Sequence, residues 1–302
     1  MPHTHSHSAP TRTLLIAFGL TLIFVVFELL SGIVAHSLAL VSDAGHNFAD
    51  ALALLLAYGA ARVAQSPATS SRTFGYHRAT ILAALFNALA LIAIAFYIFW
   101  EAYRRLGVHQ DVNSHLMIVV ALSALVLNTA ISFLLRKETH DLNLRSAYVH
   151  MLGDAVASMG VIVAGVVILF AGAYWVDPLT SVLIGFFILW TSWSVVREGV
   201  NILLEAAPAG LDMKQVEEAI RGVAGVLATH DLHVWTISSG MLACSCHAVI
   251  SRKTVEDGQQ IIKNIVRELK TRFQIGHTTI QIEIEGCDPN DLYCGVKEVH
   301  DH

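Results

Sequence analysis

Six stretches of the chain stay apolar for about the 20 residues a bilayer-spanning helix needs. They are Leu14–Ala35, Leu38–Ala64, Ile81–Ala102, Leu116–Leu135, Ser146–Phe170 and Leu179–Val196. The connectors are short and carry breaker residues such as Gln65-Ser66-Pro67 and Asp177-Pro178. Beyond Ala207 the pattern changes. Pro208-Ala209-Gly210 interrupts it, and charged residues become frequent from Asp212 onward. A domain boundary therefore falls near residue 207.

The remainder predicts a small α+β domain. Met213–Val223 repeats apolar residues at helical spacing (Met213, Val216, Ile220, Val223), with Glu217 and Glu218 on the other side. His230–Ile237 and Met241–Ile250 are rich in strand formers, and Ser238-Ser239-Gly240 between them signals a hairpin. Val255–Phe273 returns to a helical stripe through Ile261, Ile262, Ile265, Val266 and Leu269. Thr278–Glu285 alternates, with Thr278, Ile280, Ile282 and Ile284 on one face and Thr279, Gln281, Glu283 and Glu285 on the other. The order αββαβ predicts a three-stranded sheet with two helices on one face. The fold class is thus an α-helical membrane protein, six transmembrane helices followed by a cytoplasmic α+β domain. The division is a histidine-containing disordered N-terminus over 1–13, a transmembrane domain over 14–206, the cytoplasmic domain over 207–288 and a flexible tail over 289–302.

Composition agrees. The hydrophobic share is 55% and the charged share 14%, against about 25% charged in soluble proteins. A net charge of -5 without a basic cluster excludes nucleic acid as the natural partner. Positive residues then set orientation. Arg12, Arg62, Arg72, Arg78, Arg136, Lys137, Arg145 and Arg197 fall on one side, Arg104 and Arg105 alone on the other. Both termini are expected in the cytoplasm. The polar, histidine-rich start is unlike a cleavable signal peptide, and a chain without targeting segments suits a bacterial inner membrane. All four cysteines (Cys244, Cys246, Cys287, Cys294) lie beyond residue 240 and read as reduced. Cys244 and Cys246 are expected as two small residues sharing one strand face.

Two apolar segments repeat one five-residue pattern, His46-Asn47-Phe48-Ala49-Asp50 and His150-Met151-Leu152-Gly153-Asp154. Helical spacing places the histidine and the aspartate of each on one face. Ionisable residues at membrane depth are costly and mark ion pathways. A single such residue could equally pair with a neighbouring helix or line a watery crevice. Four of them, converging if the second and fifth spans pack together, make a tetrahedral ligand set for Zn²⁺. Imidazole favours zinc and other late transition metals over Mg²⁺ or Mn²⁺. Asp43, one turn before Asn47, either lines the entrance or serves the helix end near Ser42. Histidine must be neutral to bind zinc and ordinarily titrates near pH 6.5, so protons compete with the metal at His46 and His150.

Ser42–Asp50, Phe74-Gly75-Tyr76-His77-Arg78, His150–Asp154 and His230-Asp231-Leu232-His233-Val234-Trp235 together resemble the cation diffusion facilitator family, in its bacterial zinc-exporting branch. The resemblance covers nearly the whole chain. It implies a ferredoxin-like, metallochaperone-like C-terminal domain and a homodimer joined through both domains. It also implies exchange of cytoplasmic Zn²⁺ for protons by alternating access at His46, Asp50, His150 and Asp154. Cd²⁺, Co²⁺ or Ni²⁺ are the neighbouring substrates to expect. In the cytoplasmic domain it implies zinc ligands from His230, His247 and Glu283. Gln281 stands where some relatives use a histidine, and Cys287 with Cys294 resembles a cysteine pair of others. His233 has opposite parity to His230, so a regular strand points the two to opposite faces. His77 is assigned to the Tyr-His-Arg turn. His3, His5 and His7 are read as weak zinc capture, with less weight on His300 and His302. A membrane metalloenzyme or a metal sensor are the rivals; the first lacks an HExxH motif and an open coordination position.

Overall fold

The computed structural model describes the backbone of residues 12–106, 110–135, 142–238, 240–251 and 254–284, with side chains throughout except at 12–18, 134–135 and 142–150. The expectations for His3, His5, His7, Ser239, Glu285, Cys287, Cys294, His300 and His302 lie outside the described residues.

Six long helices come first: α1 (Arg12–Val34), α2 (Leu38–Ala64), α3 (Ala79–Leu106), α4 (Ser114–Leu135), α5 (Leu142–Ala171) and α6 (Val176–Leu203). Each contains its predicted apolar stretch almost entirely and most run past it, because helical hydrogen bonding does not stop where the hydrocarbon does. Five have the length and apolar character to cross a membrane, and the described side chains of α1 add a shorter apolar run, Gly19–Val34. Asp177-Pro178 does not break the chain. It lies in the first turn of α6, where proline lacks only an N–H that has no partner in the helix anyway.

The first compact unit, residues 1–58 with 86–196, is a helical bundle. Its core joins Leu40, Ala49, Leu91, Met117, Val161 and Ile188. Small residues let helices approach. A Cβ added at Gly165 would meet Ile118 at 2.7 Å, and one at Gly185 would meet Phe99 at 2.6 Å.

The second unit, residues 59–85 with 197–302, holds the connector after α2 and the soluble domain. Within it Arg78 pairs with Glu205 at 2.8 Å, and the ring of Phe74 meets His277 edge-on at 5.6 Å. The domain follows the predicted order: α7 (Met213–Arg221), β1 (Val226–Ser238), β2 (Met241–Ile250), α8 (Val255–Phe273) and β3 (Ile275–Glu283). Asp212 caps α7, and Thr254 with Asp257 forms a capping box on α8. The sheet order is β1-β2-β3, with β1 antiparallel and β3 parallel to β2. Val216, Ile220, Ile261, Ile265 and Leu269 of the helices pack on Leu232, Val234, Cys244, Cys246 and Ala248. Both helices therefore cover one face, and Cys244 and Cys246 are buried small residues on it, as expected.

Candidate metal centres

The start of α2 is fixed from another helix. Ser37 caps it by accepting the Leu40 N–H at 3.2 Å. Asp177 of α6, fully buried, accepts the Leu38 N–H at 2.7 Å, the Ala39 N–H at 3.2 Å and the Ser37 hydroxyl at 2.6 Å. Those are the first-turn donors that an α-helix leaves without partners, at the end of its dipole that favours an anion. Two turns further along sits His46. The Asp177 clamp thus sets the depth of the first histidine.

His46 is nearly buried, at 7% exposure, with Phe187 of α6 edge-on at 6.5 Å between ring centres. Its Nε2 lies 3.4 Å from Asp50 Oδ2 and 4.0 Å from Asp154 Oδ1, which belongs to α5. Donor atoms about 2.0–2.1 Å from a tetrahedral zinc are roughly 3.3–3.4 Å apart. His46 therefore stands near ligand spacing from one carboxylate on each of two helices. His150 stands on α5 one turn before Asp154, and its side chain lies outside the described residues.

The cytoplasmic trio forms on the sheet face away from the helices. His230 and His247 are register partners across β1 and β2, and Glu283 sits beside Val249 across β2 and β3. His230 Nε2 is 3.2 Å from His247 Nδ1 and 3.1 Å from Glu283 Oε2, while His247 Nδ1 is 3.0 Å from Glu283 Oε1. Among the described residues these three form the one group of at least three candidate ligands whose donor atoms all lie within 4.8 Å of one another. Two imidazoles and a carboxylate are a donor set that zinc favours.

One expectation fails. His233 does not turn away from His230, because β1 bulges between them. Asp231 takes a left-handed backbone (φ 52), which aspartate tolerates better than most residues. The extra residue reverses the parity, so His233 pairs with Ser245 on the same face as His247. Asp231 then lies 3.0 Å from His233 Nε2 and 3.7 Å from His247 Nε2. A carboxylate behind a ligating imidazole orients the ring and raises its basicity. Asp231 was not picked out in the sequence; an aspartate inside a strand pattern, a residue type strands avoid, was the available signal. Asp177 and Glu28 were also passed over, although a carboxylate in an apolar helix is itself a signal.

Models of two known domains match the sequence: a cation efflux transmembrane domain over residues 14–204 and a cation efflux protein cytoplasmic domain over residues 208–285. The chain belongs to the cation efflux, or cation diffusion facilitator, family. The metal cation efflux system protein CzcD of Cupriavidus metallidurans is 38% identical over 291 residues, covering 96% of this chain and 92% of CzcD. A cadmium, cobalt and zinc/H(+)-K(+) antiporter of Bacillus subtilis is 36% identical, covering 98% and 97%. Zinc transporter ZitB of Escherichia coli is 35% identical, covering 97% and 96%. The protein is a multi-pass membrane transporter of metal cations rather than an enzyme, with a transmembrane domain followed by a small cytoplasmic α+β domain.

Proposed function

We propose that this protein exports Zn²⁺ from the cytoplasm in exchange for protons by alternating access, with His46, Asp50, His150 and Asp154 as the transport site. The observation that carries this reading is the approach of His46 Nε2 to carboxylates of two different helices, at 3.4 and 4.0 Å. A site divided between α2 and α5 is opened or closed by moving one helix against the other. Neutral imidazoles at cytoplasmic pH capture the ion; protonation from a more acidic outer side turns the same nitrogens into cations that repel it. Cd²⁺, Co²⁺ and Ni²⁺ share the preference for such ligands and are the expected competing substrates.

In this reading His230, His247 and Glu283 bind a second zinc that regulates rather than crosses the membrane. The assembly is a homodimer in contact through the cytoplasmic and transmembrane domains, in a bacterial inner membrane with both termini cytoplasmic. The division into a segment at 1–13, a transmembrane domain at 14–206, a cytoplasmic domain at 207–288 and a tail at 289–302 belongs to the same proposal.

The test is zinc flux into proteoliposomes under an imposed pH gradient. Flux is expected to require the gradient and to disappear in Asp50→Ala and His150→Ala proteins that remain folded. Zinc binding without flux in the unmodified protein would point to a sensor.

A further inference from the structure

The metal quartet does not account for two further buried carboxylates of the bundle. Glu28 is the only acidic residue of α1 and is fully buried. Asp43 of α2 is 1% exposed, and each of the two carboxyls lies in the other's electrostatic field. Asn47, one turn after Asp43, turns its Nδ2 toward Glu28 Oε2 at 3.5 Å. Glu28 Oε1 and Asp43 Oδ1 are buried and have no hydrogen-bond partner. Neither α1 after Arg12 nor α2 before Arg62 contains a lysine or arginine.

A buried carboxylate oxygen without a donor is costly, and taking up a proton removes the charge that makes it so. Both ionised, they would be two acceptors pressed together out of water, an arrangement that costs several kcal/mol. A metal does not answer the same need. Zinc requires about four donors, whereas the neighbour that reaches Glu28 is the Asn47 amide, and both carboxyls are almost wholly buried. Asn47 moreover presents an N–H to the pair, which suits an oxygen acceptor rather than a cation.

Among the described residues, the other charged group acting on both is Asp154 of α5, whose field reaches Glu28 and Asp43. Ser158 of α5 is the neutral polar neighbour of Asp43. α4, packed against α1, has no Asp, Glu, Lys or Arg, and its one titratable residue, His115, is in its first turn. Asp154 also belongs to the quartet. A divalent ion loaded beside it reverses the local charge that both carboxyls feel.

We propose that Glu28 and Asp43 form a proton-binding pair, separate from the metal ligands, that holds one proton while the quartet is empty and releases it to water when metal loads. The coupling half of this inference rests on the quartet being the transport site. Metal arrival lets the shared proton go and leaves two carboxylates in the field of the cation; metal departure draws a proton back. Opposite occupancy by metal and proton is what an exchanger needs. The pair supplies it without using a metal ligand.

The experiment is infrared difference spectroscopy on the full-length protein in lipid nanodiscs, with proton release read by a pH dye in weak buffer. Metal-free protein should show a buried carboxylic-acid C=O band that Glu28→Gln and Asp43→Asn both remove. Zinc saturation should remove the same band in the unmodified protein. Glu28→Gln should lower the protons released per zinc by about one, the count expected if the pair titrates as a unit. A metal-free spectrum without the band, a band that survives both substitutions, or one that zinc leaves unchanged overturns the proposal. The unmodified protein provides two of these outcomes, so a misfolded variant does not shield it. Calorimetric zinc binding by Asp50→Ala protein tests the quartet separately, and the metal-free band is read with no zinc present.

Discussion

Histidine and carboxylate meet twice in this molecule, and the two meetings are built differently. In the bundle the pattern is local: a histidine and an aspartate four residues apart on α2, with Asp154 arriving from α5. In the soluble domain no two of His230, His247 and Glu283 share an element, and strand register alone unites them. The spacings differ as well. Bundle donors stand 3.4 and 4.0 Å apart, at or beyond the edge of a zinc tetrahedron, while sheet donors stand 3.0–3.2 Å apart on a continuous hydrogen-bonded ladder. Helices that slide can spread a site and let an ion go. A sheet cannot move one strand without breaking its ladder, which suits an ion that stays.

The sharpest way to separate the two is to remove one and read both. Asp50→Ala should abolish flux in proteoliposomes while calorimetry still finds the cytoplasmic zinc; simultaneous loss of both signals would break the comparison. Asp177→Ala comes next. It removes the acceptor for the first turn of α2 and leaves the Ser37 hydroxyl without its acceptor, for an expected loss of about 2–3 kcal/mol. Thermal unfolding should report the loss, and zinc transport should fall with it, because the clamp sets the depth of His46.

His247→Ala should act in the opposite compartment. Cytoplasmic zinc affinity should fall by at least about tenfold, since a trio cut to two ligands no longer makes a zinc site. Flux should persist, and its disappearance would make the cytoplasmic ion part of the transport route. The smallest expected effect is that of Asp231→Asn, which keeps tolerance of the left-handed backbone but removes the carboxylate behind His247. Zinc affinity should drop roughly tenfold, the usual size for the group that orients a ligating imidazole. An unchanged affinity would reduce Asp231 to a residue that shapes the bulge.

Much of this was legible in the chain. The 20-residue apolar runs gave six helices, and the paired HxxxD pattern named His46 and the two carboxylates, Asp50 and Asp154, that stand 3.4 and 4.0 Å from it. The alternation of Thr278, Ile280 and Ile282 gave the right buried face of β3. The failures share a cause. His233 was assigned to the wrong face because parity counting assumes a regular strand, and one left-handed residue at Asp231 shifts every position before it relative to those after. Asp177 was read as part of a breaker because its partners, Leu38 and Ala39, are 139 and 138 residues away.

The sequence by itself determined what depends on spacing along one element: which segments cross the bilayer, which side chains share a helix face, and which chemistry the paired histidines and aspartates favour. Only the tertiary structure decided what depends on distance through space. It set the Asp177 clamp on α2, the bulge that turns His233 toward its neighbours, and the burial of Glu28 and Asp43. Periodicity is a property of covalent geometry and can be counted. A hydrogen bond between helices depends on how they pack, and no local pattern in the chain encodes it.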